Sequence, residues 1–212
     1  MLYFLNTMPG WLQTLIHADQ DLFMLLNTVL TNNWLDNILP WWRDANTWIP
    51  LYVFLLVFMI INFGWRSVGW IIFLIATASL TDLVSSWFFK DYFMRVRPCN
   101  DPFLATQARL LINRCPSSFS FTSSHATNHF GAAMFIFVTL KPFIGKWGWL
   151  FFAWAATICY GQVYVGVHYP LDVLAGGLLG CFLGWLMSKI YDAIHTKGLS
   201  LHAALKTPEI PS

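Results

Sequence analysis

The stretch LDVLAGGLLGCFLGWLMSKIYD, Leu171 to Asp192, is apolar over nearly its whole length. About 17–25 mostly apolar residues suffice for a helix to cross a bilayer, so this stretch predicts a transmembrane helix. Gly176, Gly180 and Gly184 recur at intervals of four, which places them on one helix face where a neighbouring helix can approach closely. We interpret this stripe as a packing surface within the chain rather than as a dimerisation surface.

The rest of the 212-residue chain has the same character, with 57 % hydrophobic and 10 % charged residues, 12 Trp and 19 Phe. This is more apolar surface than a water-soluble domain of that size can bury. We predict an all-α, polytopic membrane helical bundle of about six transmembrane helices. The predicted spans are 22–42, 48–63, 68–89, 123–140, 147–164 and 171–192. The predicted organisation is an interfacial segment 1–21, a transmembrane domain 22–192 and a cytoplasmic tail 193–212.

The first span, 22–42, is the most polar of the set. Within a bilayer it is compatible only with a position that turns its polar stripe toward other helices rather than toward lipid. The polar residues are Asn27, Thr28, Thr31, Asn32, Asn33 and Asp36.

Counting crossings places two polar segments on one side of the membrane. Two spans separate the long insertion 90–122 from the turn 166–170, so both face the same side whatever the first segment does. The basic residues are divided equally between the two faces, so the positive-inside rule gives a tie. If Lys90 and Arg97 are left out of the count because they serve chemistry, the remaining basic residues favour a cytoplasmic C-terminus and an outward-facing insertion.

The cysteines of the insertion fit that orientation. Cys99 and Cys115 can close a loop of about 17 residues, worth roughly 3 kcal/mol in the chain-entropy description. Such a bond requires an oxidising compartment, and two free thiols are the alternative. Cys159 and Cys181 fall inside predicted spans and are interpreted as small core residues.

Two polar clusters flank the insertion. In KDYFMRVRP, a helix continued to Arg97 brings Lys90 and Arg97 onto one face, and two such cations suit a dianionic phosphate. A basic patch touching lipid head groups is the alternative. In FTSSHATNHFG, Ser123, Ser124 and His125 fall at a helix N-terminus, which favours an anion and places His125 to donate a proton. A capping serine followed by a structural histidine gives the same pattern.

The third cluster is GQVYVGVHYPLD, Gly161 to Asp172. Pro170 favours a helix start, so Asp172 falls in the first turn and can bond one imidazole nitrogen of His168. The other nitrogen then stays free as a nucleophile. A purely structural His–Asp bond is the alternative for the pair alone, but three clusters on the same side together favour a site.

With these residues the sequence resembles the type 2 phosphatidic acid phosphatase (PAP2) superfamily, whose three signatures are K-x6-RP, PSGH and SR-x5-H-x3-D. The first is met in full by Lys90, Arg97 and Pro98. The second is TSSH, residues 122–125, which keeps the serine and the histidine. The resemblance extends over about residues 22–192.

The third signature keeps His168 and Asp172 at the family's separation, but Gly161 and Gln162 stand where the family has Ser and Arg. A neutral amide removes a charge-assisted contact, and such contacts contribute about 1.5–3 kcal/mol against about 0.5–1.5 for neutral ones. If the contact strengthens in the transition state, the rate falls by roughly 10²-fold. Gln162 can still donate one hydrogen bond. Other sources of positive charge are Arg95, Arg109 and Arg114.

The resemblance implies a phosphatase that needs no metal or cofactor. It implies that His168 attacks phosphorus, that Asp172 orients His168, and that His125 protonates the leaving group and later activates water. The implied phosphate-holding groups are Lys90, Arg97, Ser123, the backbone of Ser124, and Gln162.

Two other functions stay open. A metal site is one of them, because His125, His129, His168 and Asp172 include two pairs at four-residue spacing, although the glutamate of HExxH is missing. A non-catalytic lipid-phosphate binder or transporter on the same fold is the other, and the altered second and third signatures motivate it.

We expect a lipid phosphate or diphosphate as substrate, because a site at the membrane surface suits an amphiphile. Undecaprenyl diphosphate, lipid A phosphate and phosphatidylglycerol phosphate all fit. The expected location is a bacterial inner membrane with the site facing the periplasm. The expected partners are the bilayer and the lipid substrate, with no nucleic acid, and the oligomeric state is left open.

Overall fold

The computed structural model describes residues 9–195, which form helices and connecting turns with no strand among them. The predicted all-α class is therefore confirmed. Residues 1–8 of the predicted interfacial segment and 196–212 of the predicted tail lie outside the described residues. The α-helices are α1 Gly10–Met24, α2 Asn33–Trp42, α3 Ile49–Phe63, α4 Ser67–Leu83, α5 Lys90–Phe93, α6 Ser124–Ile144, α7 Trp149–Tyr164 and α8 Pro170–His195.

Three helical stretches are long and apolar enough to cross a membrane, by length and composition: Ala45–Asn100, Ser124–Tyr164 and Pro170–His195. The first two each contain a glycine with positive φ, Gly64 at 56° and Gly145 at 53°, where one helix ends and the next begins. Helices α3 and α4 contact each other, as do α6 and α7. The five predicted spans from 48–63 onward therefore each coincide with a helix.

The predicted span 22–42 is wrong as a single helix. Helix α1 is extended by a π-helical turn, Leu25–Val29, and the chain then breaks before α2. The reason is local capping, because the Asn32 side chain accepts a hydrogen bond of 2.7 Å from the Trp34 N–H and starts α2. The predicted boundary between residues 21 and 22 also lies inside a continuous helix.

Only part of the predicted polar stripe faces protein, since Thr31, Asn32 and Asn33 are exposed. Asn27 is fully buried, and its amide donates to the carbonyl oxygens of Tyr164, at 2.8 Å, and Arg109, at 2.9 Å. Asp36 accepts from the Tyr164 hydroxyl at 2.6 Å and pairs with Arg109. These bonds hold the first two helices against the end of α7 and against the insertion.

The glycine stripe of α8 packs against α6, which confirms the interpretation as an intrachain surface. A Cβ at Gly180 would meet the carbonyl oxygen of Thr127, and one at Gly184 would meet that of Gly131. Because the two helices approach at backbone contact, the first turns of α6 and α8 lie side by side. Those turns carry two of the three polar clusters.

Large apolar side chains are distributed as in a membrane protein. One buried cluster gathers Met59, Trp70, Phe135, Leu140 and Tyr191. Many other apolar residues are exposed, including Phe54 at 61 % and Ile61 at 76 % on α3, a distribution suited to contact with lipid. The insertion is closed by the predicted disulfide, Cys99–Cys115, with 5.9 Å between the Cα atoms.

Candidate active site

His168 lies in the tight turn between α7 and α8. The turn depends on Gly166, which has φ 91° and passes so close to the Arg109 carbonyl that a Cβ would collide with it. His168 is 2 % exposed. Its Nε2 accepts a hydrogen bond of 3.0 Å from Nη1 of Arg97, and its Nδ1 lies 3.5 Å from Oδ2 of Asp172. The ring is therefore held with the proton on Nδ1 and the lone pair of Nε2 directed at a cation.

Burial is the main cause of a low pKa at His168. Desolvation, reinforced by the positive charges of Arg97 and Lys90 and opposed by Asp172, lowers its pKa to about 4. The imidazole is therefore neutral at pH 7, the form in which a ring nitrogen is a nucleophile.

Asp172 is fixed by several donors. The backbone N–H of Tyr169 donates to its Oδ2 at 2.9 Å, and the Ser120 hydroxyl donates to the same oxygen. The Ser120 hydroxyl also lies 3.5 Å from Nδ1 of His168, between the ring and the carboxylate. The predicted His–Asp pair is thus present with a serine beside it that the sequence interpretation missed.

A second arginine of the insertion, Arg95, links Asp172 to an acidic residue of α1. Arg95 donates to Asp172 at 2.7 Å and to Asp19 at 2.6 Å, and its guanidinium stacks on the Tyr169 ring at 4.0 Å. Asp19 in turn accepts from the backbone N–H of Leu171 at 2.8 Å. Sequence reasoning missed Asp19, although acidic residues on a largely apolar segment, Asp19 and Asp21, were the available signal.

Arg97 is held by backbone and side-chain acceptors. Its Nε donates to the Ser118 carbonyl at 2.7 Å, Nη2 to the Ser118 hydroxyl at 3.0 Å, and Nη1 to the Val167 carbonyl at 2.9 Å. These bonds leave the guanidinium plane beside His168. Arg97 is 5 % exposed, so it is a preorganised cation with little solvent screening.

The prediction that Lys90 and Arg97 share one face of a continuing helix is wrong. Helix α5 ends at Phe93, Met94 adopts φ 46°, and Arg97 is extended with ψ 152°. Pro98 accounts for the extended conformation of Arg97, because the residue before a proline is driven out of the helical region, but the helix itself ends earlier, at the left-handed Met94. Lys90 nevertheless interacts electrostatically with Arg97, and it follows a π-helical turn, Val84–Phe89.

The start of α6 carries the second cluster. Ser123 is the N-cap, and its hydroxyl accepts from the Ala126 N–H at 3.4 Å. Its own N–H donates to the Asp172 carbonyl at 3.1 Å, which joins the second cluster to the third. The Ser124 hydroxyl lies 3.1 Å from the hydroxyls of Ser85 and Ser86. His125 interacts electrostatically with His168 and with Lys90, as a group in the same site does.

The hydrogen bonds of His129 do not involve His168, although its ring stacks on that of His125 with 6.3 Å between the centroids. Its Nδ1 is 2.7 Å from the His125 carbonyl, its Nε2 is 3.3 Å from the Tyr52 hydroxyl, and its ring packs edge-on against Trp154. Over residues 9–195, no group of three or more His, Cys, Asp or Glu is placed to hold a metal ion. The metal site proposed from the spacing of the histidines therefore has no assembled ligand set in this part of the chain.

Gln162 is fully buried, and its amide points at the end of α2. Nε2 donates to the Arg43 carbonyl at 3.5 Å, while Oε1 is buried without a partner. The residue predicted to contact phosphate is thus engaged with the backbone of Arg43, and its phosphate-binding role stays a prediction. The arrangement as a whole offers a neutral nucleophilic nitrogen, an orienting carboxylate and convergent cations for an anionic substrate.

Comparison with known proteins identifies relatives of this chain. The family model described as the PAP2 superfamily matches residues 67–195. The lipid A 4′-phosphatase of Bacteroides thetaiotaomicron is 29 % identical over 178 residues, which cover 82 % of this chain and 77 % of that protein. The undecaprenyl-diphosphatase of Sulfolobus acidocaldarius is 31 % identical over 173 residues, which cover 80 % of this chain and 77 % of that protein.

A solved structure has a similar fold. The crystal structure of a transmembrane PAP2-type phosphatidylglycerolphosphate phosphatase from Bacillus subtilis matches with a TM-score of 0.64 at 23 % identity, covering 85 % of this chain and 88 % of that one. At this identity the likeness concerns the fold alone. With a family model that spans more than half of its residues, and with the three signature clusters gathered around His168, this chain belongs to the PAP2 superfamily.

Proposed function

We propose that this protein is an integral-membrane phosphatase that hydrolyses a lipid-linked phosphate or diphosphate through a phosphohistidine at His168. The observation that carries the proposal is the placement of His168, with Nε2 3.0 Å from Arg97 and Nδ1 facing Asp172. A phosphate oxygen that accepts this Arg97 N–H in place of Nε2 would free the Nε2 lone pair and place phosphorus next to it. Geometry of this kind converts binding into proximity, which lowers the barrier of the chemical step.

In the first step Nε2 of His168 forms a bond to phosphorus, and the bond from phosphorus to the leaving oxygen breaks. His125 supplies the proton that the leaving oxygen takes. The imidazolium charge that develops on His168 is stabilised by the carboxylate of Asp172, with Ser120 beside it. The products of this step are a phosphohistidine and the dephosphorylated lipid, or the lipid monophosphate from a diphosphate.

In the second step His125 takes a proton from water, and the hydroxide attacks phosphorus. The P–N bond breaks, inorganic phosphate leaves, and the electron pair returns to Nε2 of His168. The oxygens of the transferring group are held in both steps by Lys90, Arg97, Ser123 and the Ser124 backbone. None of these steps calls for a metal or a cofactor.

The lipid character of the substrate is supported by an apolar cavity of about 370 Å³ beside the site. It lies between α3 and α4 and reaches Asn128 and His129, one helical turn beyond His125. Its apolar lining includes Tyr52, Leu55, Leu56, Ile71, Leu74 and Ile75. A hydrocarbon chain there leaves the phosphate within reach of His125. The relatives named for lipid A and undecaprenyl diphosphate hydrolysis support the same class of substrate.

We also propose a bacterial inner-membrane location with the site on the periplasmic side. The support is the disulfide, because Cys99 and Cys115 belong to the insertion that carries Arg95 and Arg97. A disulfide persists in an oxidising compartment and is rare in the cytoplasm.

The test is phosphate release from a panel of lipid A, undecaprenyl diphosphate and phosphatidylglycerol phosphate in detergent, with wild type beside His168→Ala. We expect release from at least one lipid by the wild type and none above background by the variant. Activity that persists in strong chelators supports chemistry without a metal. Equal background from both proteins would instead favour a non-catalytic lipid-phosphate binder on the same fold.

A further inference from the structure

Arg43 ends α2 next to the third cluster, at the place where this chain departs from the family pattern. A Cβ added at Gly161 would lie 3.2 Å from the Arg43 Cβ, so the glycine gives the arginine room. The neighbouring Gln162 donates from Nε2 to the Arg43 carbonyl at 3.5 Å. Both residues that differ from the third family signature therefore contact the same arginine.

Arg43 is a half-buried cation with few partners. Its Nε is buried without a hydrogen-bond partner, and the guanidinium forms no hydrogen bond or ion pair with any residue of the described range 9–195. The adjacent acid, Asp44, accepts the N–H of Asn46 and caps the turn that follows. Burial lowers the pKa of Arg43, as desolvation of a charged group does.

The charge of Arg43 acts on the site. It interacts electrostatically with His125 and with Arg97. Two of the three arginines that the sequence offered as replacements are otherwise engaged, since Arg95 pairs with Asp19 and Asp172, and Arg109 pairs with Asp36. The third, Arg114, is exposed. A buried, unpaired donor beside two cationic or basic groups is stabilised when an anion binds among them.

We propose that Arg43 binds the transferring phosphoryl group and supplies the positive charge that the family signature places at residue 162. Gln162 is then a positioning residue, which holds the end of α2 through the Arg43 carbonyl. This proposal rests on the proposed phosphatase function and concerns the same site. It also accounts for Gly161, because a larger side chain there would displace Arg43.

The experiment compares Arg43→Met, Arg43→Lys, Gln162→Arg and the double variant Arg43→Met/Gln162→Arg with wild type. Methionine keeps the length of the side chain and removes its charge. The matched control is Arg66→Met, because Arg66 is exposed at the opposite end of α4 from Lys90. The readouts are kcat/KM, inhibition by orthovanadate, and the Tm of the purified protein in detergent.

We expect Arg43→Met to lower kcat/KM by roughly 10²-fold and to weaken vanadate inhibition by about tenfold or more, with Tm unchanged. Arg43→Lys should retain more activity than Arg43→Met. Gln162→Arg alone should not raise activity above that of the wild type. Added to Arg43→Met, it should raise activity at least about fivefold, because it returns a guanidinium to the site. Arg66→Met should match wild type in all three readouts.

Three results would overturn the proposal while leaving the phosphatase function standing, provided His168→Ala is silent. One is an Arg43→Met variant with wild-type kcat/KM and vanadate inhibition. Another is a Gln162→Arg variant with higher turnover than the wild type, because the site would then lack a positive charge that Arg43 does not supply. The third is a double variant with no activity regained. Failure of the phosphatase function itself is a different result, namely equal phosphate release by wild type and His168→Ala.

Discussion

The backbone N–H of Ser123, at the start of α6, donates a hydrogen bond of 3.1 Å to the carbonyl oxygen of Asp172, in the first turn of α8. Clusters that lie almost fifty residues apart along the chain are thereby joined through the backbone. The side chains of Asp172 and His168 are positioned relative to His125 by this contact and by the glycine stripe below it.

The first prediction concerns that stripe. Gly180→Ala should destabilise the protein by about 1–3 kcal/mol and lower activity, because its methyl group would be forced against the Thr127 carbonyl and would separate α6 from α8. The measurement is thermal unfolding in detergent alongside phosphate release. Gly10→Ala is the matched control, since no atom lies within 4 Å of the added Cβ. Equal stability of the two variants would contradict the proposed packing.

Asp172→Asn should lower kcat by about 10²-fold or more, because the amide cannot stabilise the imidazolium and favours the wrong tautomer of His168. The change also removes one of the two oxygens that accept from Arg95 and Ser120, and the charge that pairs with Arg95, so stability should fall as well. Kinetics at a temperature well below the Tm separates the two effects. Ser120→Ala should give a smaller loss in kcat. A Ser120→Ala loss as large as that of Asp172→Asn would move the orienting role to the serine.

The pH profile should report the low pKa of His168. This pKa is lowered to about 4, and the nucleophile must be neutral, so activity should persist as the pH falls below 6.5 and be lost only as it falls through about 4. The measurement is kcat/KM against pH, corrected for ionisation of the substrate phosphate near about pH 6. A corrected kcat/KM that still falls as the pH drops through 6.5 would show that His168 is not desolvated in this way.

The same shift predicts a loss of stability in acid. The unfolded chain binds the histidine proton near its ordinary pKa of about 6.5, whereas the folded chain does not until about pH 4. Stability contributed by neutral His168 should therefore be present above about pH 6.5 and decline as the pH falls toward 4. His168→Asn, which does not titrate, should show a flatter dependence of Tm on pH over that interval.

The disulfide gives a test of orientation. Cys99 and Cys115 should react with a membrane-impermeant maleimide only after reduction, and in intact cells the label should enter from outside. Cys115→Ser should expose Cys99 to the reagent without reduction. Labelling that occurs only in inverted vesicles would place the insertion in the cytoplasm and would contradict the proposed periplasmic site.

Much of this arrangement is predictable from the sequence, because the strongest signals are local. Apolar runs of membrane length predict the helices from Ile49 onward, and the four-residue glycine spacing predicts a close helix contact. The separation of His168 and Asp172 places them within one turn of the α8 start. Each of these patterns depends on neighbours in sequence, where periodicity is informative.

The parts that were missed depend on contacts distant in sequence. Asp19 reaches Arg95 across the fold, and nothing near either residue indicates the other. The place of Arg43 in the site is not predictable from the sequence, because its proximity to Gly161 requires the packing of α2 on α7. The split of the first span was also missed, since the capping strength of Asn32 was outweighed by the apolar residues on both sides.

The central claim is tested most directly by trapping the covalent intermediate. His125→Ala, given an activated aryl phosphate whose leaving group needs no proton, should form the phosphohistidine and then fail to activate water. After an alkaline quench, we expect an acid-labile, alkali-stable phosphoryl group on the peptide that contains His168, and none in the His125→Ala/His168→Ala protein. Phosphate release by the wild type with no phosphoryl group trapped in His125→Ala, or a group that remains when His168 is removed, would contradict the account.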